Sequence, residues 1–310
     1  MIPTDRAFSR RDFCELALQS SLVLAIPPLG KDSVSPEVSI VPRTAPLITD
    51  TFIHLFSWPF KSLSHSSTSA LVAKLRSHGI GEAWAGSFEA LLHKNLDHAN
   101  ARLYEECILT EKAFLVPIGS VNPHFPDWKE DLRRCSEVYQ MRGIRIHPMY
   151  QMVDLDGVAF RDLVAEATKR KMFIQVAGDL EDRRHHHPLT SVTDQSFAPL
   201  LDVAKDIPAA TIQLLHWNTH VSPTLLRNMI EQTNILFDIS RIEGAGELGR
   251  LIDGESWNGL EVNVPASRFL FGSHAPYLAL EAALLRLFEH PIDDGSLRSI
   301  MTDNAKNLAP

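Results

Sequence analysis

Length, composition and charge limit what this chain can be. The 310 residues carry 30 Lys and Arg against 38 Asp and Glu, a formal charge of −8, which argues against nucleic-acid binding by phosphate neutralisation. With 45% hydrophobic and 22% charged residues, the chain has the composition of a folded protein and is too apolar to be disordered. No apolar run reaches the roughly 20 residues that a membrane span needs.

The cysteines and the charge also bear on cofactors and partners. Cys14, Cys107 and Cys135 have no CxxC spacing, which argues against a disulfide framework and against a cysteine zinc site. We therefore expect a small-molecule substrate as the partner, with no nucleic acid and no membrane span. The oligomeric state stays open.

The first 46 residues are predicted to lie outside the folded domain. Arg10 and Arg11 precede a short, weakly hydrophobic stretch, so residues 1–30 resemble a twin-arginine export signal. The alternative is an amphipathic helix that packs on the domain. Residues 31–46 contain three prolines and no periodicity, which is typical of a linker. The prediction is an exported, periplasmic protein if the signal is real, and a cytoplasmic one otherwise.

Residues 47–310 alternate between short β-rich runs and helical patterns. The predicted strands are Leu47–Phe56, Ile80–Ala85, Phe114–Val121, Gly143–His147, Met172–Ala177, Thr211–Trp217, Ile235–Ile239 and Arg268–Gly272. Helices are predicted between them and after the last, at Ser69–His78, Leu91–Thr110, Asp127–Met141, Phe160–Arg170, Asp194–Lys205, Pro223–Gln232, Gly246–Asp253, Leu278–Glu289 and Ser296–Asn307.

These elements predict the fold class. Most strands are continuous apolar runs, which is the pattern of parallel strands buried on both faces. Eight such βα units in about 260 residues predict an α/β fold, a (β/α)8 TIM barrel. The alternative, an open doubly wound sheet, is disfavoured because no GxGxxG motif follows the first strand.

Histidines recur where the predicted strands end. In a TIM barrel the catalytic residues lie on the strand ends and βα loops of the C-terminal face. Strands 1, 4, 6 and 8 end at His54, His147, His216 and His274. The loop after strand 5 adds Asp182, Arg184 and the run 185–187, which is alternatively a solvated loop. We predict one functional site at this face.

The sequence around the strand ends resembles the amidohydrolase-related (amidohydrolase 2) family of TIM-barrel hydrolases, which includes decarboxylases and lactonases. Residues Asp50–Leu55, DTFIHL, are similar to its strand 1 motif Asp-x-His-x-His, and Gly143–Pro148 to its strand 4 segment. Leu215-His216 matches its strand 6 histidine. Phe271–Pro276, FGSHAP, is similar to its Phe-Gly-Thr-Asp-x-Pro, and Asp303–Leu308 to its closing motif. The resemblance implies a metal-dependent hydrolase fold over residues 47–308.

Several positions depart from the metal ligands that the resemblance implies. Phe52 stands in place of the first histidine, and Val176 or Ala177 in place of the strand 5 histidine. His274 replaces the aspartate of strand 8. The chain is therefore similar to a divergent branch with incomplete metal ligands.

Three functions compete at this point. The first is a metal-independent hydrolase of a small acyl compound, a lactone or cyclic ester, with no cofactor, His274 as general base and His216 assisting proton transfer. The second is a zinc- or other metal-dependent hydrolase or decarboxylase with a three-histidine site of His54, His216 and His274. The third is a non-catalytic, ligand-binding barrel. The expectation is the first, with substrate-binding side chains Arg145, His147, Asp182, Arg184, Trp58 and Trp84.

Overall fold

The computed structural model describes residues 47–111, 114–190 and 192–308. The predicted export signal (1–30) and linker (31–46) lie outside the described residues. Within the described part, no helix is long and apolar enough to cross a bilayer.

Eight parallel strands form the barrel. Two hydrogen-bonded ladders, of three and five strands, contain all of them in chain order. The strands are β1 (Ile48–Leu55), β2 (Ile80–Ser87), β3 (Leu115–Pro117), β4 (Gly143–Ile146), β5 (Phe173–Ala177), β6 (Ile212–Leu215), β7 (Leu236–Asp238) and β8 (Phe269–Leu270).

Backbone hydrogen bonds between the two ladders close the barrel. The amide of Arg145 donates to the Gly119 carbonyl at 2.7 Å, which joins the end of β3 to β4. The amide of Thr51 donates to the Phe271 carbonyl at 2.9 Å, which joins β1 to the end of β8. The predicted TIM barrel is confirmed.

Helices surround the barrel and begin at recognisable signals. They are α1 (Thr68–Ser77), α2 (Leu96–Glu111), α3 (Trp128–Arg133), α4 (Pro148–Gln151), α5 (Val158–Lys169), α6 (Pro199–Asp206), α7 (Pro223–Gln232), α8 (Glu247–Asp253), α9 (Leu280–Arg286), α10 (Asp294–Arg298) and α11 (Asn304–Leu308). The Ser222 side chain accepts from the Leu225 amide and Pro223 occupies the first turn, so α7 has the predicted bounds.

The alternation of side chains along the strands builds two cores. On β5, Ile174 and Val176 join the large cluster between strands and helices, whereas Phe173, Gln175 and Ala177 lie in the barrel interior. Strands buried on both faces explain the continuous apolar runs of the sequence.

The structure differs from the predicted elements in several places, among them the predicted helix 296–307, which is α10 and α11 with a π-helical turn between them. The predicted helix 127–141 is α3 followed by a wider π-helical turn, Arg134–Val138. The short helix α4 directly follows β4, and an antiparallel hairpin pairs Ser256–Trp257 with Leu260–Glu261. These pieces are too short to produce a periodic signal in the sequence.

Candidate active site at the barrel mouth

Four histidines from four strand ends meet in the barrel mouth. The ring centres of His54 and His147 are 5.3 Å apart, those of His54 and His274 are also 5.3 Å apart, and those of His216 and His274 are 4.3 Å apart. All four side chains are buried. The structure thus brings together histidines that are up to 220 residues apart in the chain.

The backbone at two of these histidines is strained. His216 and His274 have φ angles of 51° and 58°, in the left-handed region that non-glycine residues rarely adopt. Such a conformation costs about 1–3 kcal/mol and is concentrated at functional sites. Buried carboxyl groups stabilise both turns: Asp238 accepts from the His216 amide at 2.9 Å, and Asp50 accepts from the amide and hydroxyl of Ser273.

The histidine rings are neutral and largely without hydrogen-bond partners. Burial lowers the pKa of His54, His216 and His274 well below the ordinary value, and that of His147 to about 3. The positive Arg145 lowers the pKa of His54 and His147 further. Among the described residues, no partner reaches Nδ1 of His54 or His147, Nε2 of His216, or either ring nitrogen of His274. These unpartnered nitrogens point to a ligand, because buried polar atoms are normally hydrogen-bonded.

One ring of the cluster has a defined proton position. Nδ1 of His216 donates to the carbonyl of Asp179 at 2.6 Å. In a neutral imidazole this leaves Nε2 as the lone-pair nitrogen. His216 is therefore oriented to accept a proton or a ligand at Nε2.

Phe52 contacts three of the four histidines. Its ring stacks on His274 with centres 4.6 Å apart and 5° between the planes, and it meets His54 and His216 edge-on. With Ala177 it belongs to a small apolar cluster of the interior. The two positions where the resembled family has histidines are thus apolar here.

Arg145, a predicted substrate-binding residue, has its donors bonded inside the barrel. Its guanidinium lies over the Phe52 ring, 4.7 Å from the ring centre. It donates to the Gln175 side chain at 2.8 Å and to the carbonyls of Ile53, Trp84 and Thr51 at 2.7, 3.2 and 3.3 Å. A Cβ at Gly86 would lie 2.5 Å from Nη1, so only glycine leaves room for this group.

An apolar roof closes the mouth above the histidines. Phe88 stacks on His54 with centres 4.5 Å apart, and Tyr277 stacks on His274 at 5.1 Å. The Tyr277 hydroxyl donates to Glu181 at 2.7 Å, which joins the loops after β5 and β8. The roof consists of Trp58, Phe88, Leu91, Met149, Tyr150, Leu180 and Tyr277. Sequence reasoning found only Trp58 of these, because the other contacts cross the barrel.

The remaining predicted substrate-binding residues lie away from the cluster. Trp84 packs on Phe173 in a separate apolar cluster of the interior and donates to Glu82, so it does not form a pocket wall at the mouth. Arg184 is 83% exposed, and its guanidinium pairs with both oxygens of Asp182 at 2.9 and 2.7 Å. This pair lies at the rim, where Asp182 lines an open cleft of about 580 Å³.

A preformed set of three metal donors is found elsewhere in the described part of the chain. The donor atoms of Asp253, Glu255 and His290 lie within 4.8 Å of one another on the outer surface. No three donor nitrogens of the described mouth histidines lie this close to one another. These histidines suit a divalent ion by their chemistry, because neutral, buried imidazoles with free nitrogens are suitable ligands.

The comparisons with known proteins decide the family. The amidohydrolase family model matches residues 70–308 of the chain. This chain belongs to the amidohydrolase family. The motif resemblance is therefore confirmed, and membership supports an enzyme without deciding its reaction. No curated protein matches this amidohydrolase by sequence.

Solved structures that resemble this amidohydrolase include decarboxylases. The 2,6-dihydroxybenzoate decarboxylase from Rhizobium has a TM-score of 0.62 and 14% identity, covering 85% of this chain and 98% of that one. The dihydroxybenzoic acid decarboxylase from Polaromonas, with manganese and 2-nitroresorcinol, has 0.63 and 13%, covering 85% and 97%. The 5-carboxyvanillate decarboxylase from Novosphingobium aromaticivorans, with manganese and a nitrobenzoic acid, has 0.61 and 10%, covering 85% and 97%. At these identities the likeness shows the fold.

The expectation of a site without a cofactor is wrong. Two of these similar structures contain manganese.

Proposed function

We propose that this chain is a divalent-metal-dependent decarboxylase of a small carboxylic acid that carries a planar ring. The observation that carries the proposal is the cluster of four buried histidines with unpartnered ring nitrogens beneath an aromatic roof. The fold of metal-bound decarboxylases supports it further. It replaces the lactone hydrolase as the reaction that we favour.

Two of the predicted ligands suit the ion on their own chemistry. His54 has Nε2 facing Nε2 of His147 at 3.4 Å as the only hydrogen-bond partner of its ring among the described residues, His274 has both nitrogens free, and burial lowers the pKa of both rings, which favours the neutral form that binds metal. His274 must turn its ring to complete a site; no hydrogen bond of that ring opposes the turn, but the turn breaks the stacking on Phe52 and Tyr277. An ion bound there supplies a Lewis acid for the substrate's oxygen atoms.

We assign His216 to proton transfer. Loss of CO₂ leaves an electron pair on the ring carbon, and this carbon must receive one proton. Nδ1 of His216 is held by the Asp179 carbonyl, so Nε2 is the atom that accepts the proton of the substrate's carboxylic acid group and then gives it to the ring carbon as CO₂ leaves. Its lowered pKa makes the protonated ring a strong acid, which favours delivery over retention.

The roof supplies the binding surface and excludes water. The rings of Phe88 and Tyr277 lie nearly parallel to His54 and His274, 12° and 16° between the planes. Flat rings in this arrangement fit a planar substrate that separates them. Because the histidines are buried beneath this roof, a substrate enters only when roof side chains move.

The test compares two reactions in one preparation. The purified chain, loaded with Zn²⁺ or Mn²⁺, is offered a panel of hydroxybenzoic acids and a panel of small lactones. We expect CO₂ release from an acid, its loss on chelation and its return with added ion. His216→Asn should lower kcat about 10²–10⁴-fold, the usual contribution of a positioned acid or base.

The control is His290→Asn, which removes an imidazole from the outer surface and should leave turnover unchanged. Lactone opening without decarboxylation would overturn the proposed reaction. Decarboxylation that persists after complete removal of metal would overturn the proposed role of the ion.

A further inference from the structure

With His216 assigned to proton transfer, two of the three predicted ligands, His54 and His274, remain for a metal site in the mouth. Such sites generally use three protein ligands and leave one position for substrate or water. Phe52 and Ala177 stand at the two positions that lack a histidine, and both pack in one apolar cluster with Leu215. If His54 and His274 hold an ion, the third ligand must come from another strand.

His147, at the end of β4, is placed to supply it. Its Nε2 lies 3.4 Å from Nε2 of His54, and both side chains are buried. Two imidazole nitrogens bound at about 2.0–2.1 Å to one tetrahedral ion lie about 3.4 Å apart. The observed separation of these two nitrogens therefore already equals that of a ligand pair.

The distances between ring centres distinguish the role of His147 from that of His216. Two imidazoles on a tetrahedral ion have ring centres about 5.2 Å apart, since each centre lies about 3.2 Å from the metal. The pairs His54–His147 and His54–His274 both measure 5.3 Å. His216 and His274 are closer, at 4.3 Å, which is too short for a ligand pair and suits a neighbouring acid–base group.

We propose that His147 is the third metal ligand of this chain, replacing those lost at positions 52 and 177. The ion is then held by His54, His147 and His274 with one position open, and His216 stands beside it. An all-imidazole set suits zinc better than manganese, for which carboxylate ligands are preferred. The inference rests on the proposed function, because it requires that the mouth binds an ion.

A direct hydrogen bond between the two rings is the competing explanation of the 3.4 Å distance. One ring would then donate from Nε2 to the other, and no metal would be involved. The two explanations differ in what His147 does to metal affinity, so metal binding is the measurement that separates them.

The experiment uses the full chain in a His290→Ala background, which removes the surface donor set of Asp253, Glu255 and His290. Zinc content after gel filtration, zinc affinity against a competing chelator, and the visible spectrum of the Co²⁺-loaded chain are measured. The variants are His147→Ala, His147→Gln in case the first does not fold, and His78→Ala as a control for loss of a buried imidazole elsewhere.

We expect one zinc per chain in the parent and in His78→Ala, and tighter binding of zinc than of manganese. Both His147 variants should bind zinc at least 100-fold more weakly, with a changed Co²⁺ spectrum, because a lost ligand exceeds the 10–100-fold effect of an outer-shell partner. Parent affinity and an unchanged spectrum in a folded His147 variant would overturn the inference alone. Absence of stoichiometric metal in the parent would overturn the proposed function together with it.

Discussion

A histidine at position 52 should destabilise the metal-free chain, and zinc should offset most of that loss. The Phe52 ring is fully buried, stacks on His274 at 4.6 Å and lies 4.7 Å from the Arg145 guanidinium. Phe→Ala in a core costs about 3–5 kcal/mol, and histidine keeps part of the ring volume. A buried ring N–H without a partner adds about 1–3 kcal/mol. Without metal, Phe52→His should therefore lose about 3–4 kcal/mol of unfolding free energy.

With zinc the new imidazole becomes an additional ligand in the cluster. Each tenfold gain in affinity adds about 1.4 kcal/mol of stabilisation at saturating ion, so a 100-fold gain returns about 2.7 kcal/mol. The assay is urea unfolding in chelator and in excess zinc, with zinc affinity measured separately. Phe52→Leu is the matched control, since it loses the same stacking and offers no donor.

The quantity to compare is the difference in unfolding free energy between excess zinc and chelator. We expect zinc to stabilise Phe52→His more than the parent, and Phe52→Leu no more than the parent. Equal zinc-dependent shifts in the two variants would refute the reasoning that position 52 faces the ion.

Two further predictions concern the same interior, and a third concerns the N-terminal segment. Arg145→Met should lower the free energy of unfolding in urea by about 3–5 kcal/mol, because it leaves the Gln175 side chain and three carbonyls without their buried donor. Arg184→Met, at the exposed rim, is the control and should not change the stability. Equal effects of the two substitutions would contradict the assignment of Arg145 to the barrel interior. The metal-free chain should lose stability as the pH falls below 6.5, because the mouth histidines can take up protons only when the chain unfolds. His147, with a pKa of about 3 in the folded chain, contributes about 2 kcal/mol of this loss at pH 5. The buried carboxyl groups of Asp50 and Asp238, whose pKa values are raised to about 7 and about 6, oppose this loss of stability over part of the pH range. We still expect a net loss, so a urea midpoint that stays constant or rises as the pH falls from 6.5 to 5 would contradict the prediction. Arg10→Lys/Arg11→Lys should retain the chain in the cytoplasm on fractionation, and an unchanged distribution would refute the proposed twin-arginine export.

The positions of the mouth histidines were predictable from the sequence. Parallel strands must open on one rim of a barrel, so residues that end strands 1, 4, 6 and 8 necessarily meet there. His54 and His274 required no more than correct strand ends. The pairing of His54 with His147 was not predictable, because the separation of their rings depends on how the barrel closes.

The sequence could not predict how deep in the barrel the Arg145 and Trp84 side chains lie. Arg145 and Trp84 both point inward, as alternation along their strands predicts. Alternation does not reveal that the guanidinium is bonded to carbonyls of neighbouring strands, or that Trp84 packs in an apolar cluster away from the mouth. The bond between Glu181 and Tyr277 joins loops 96 residues apart, and neither residue has a local pattern that indicates it.

The central claim is a divalent ion among the mouth histidines, and anomalous X-ray scattering tests it most directly. Crystals grown with zinc are measured on both sides of the zinc absorption edge, which locates the ion without assuming its ligands. We predict an anomalous peak bounded by His54, His147 and His274. A peak only at the surface group of Asp253, Glu255 and His290, or none in the mouth, would contradict the account.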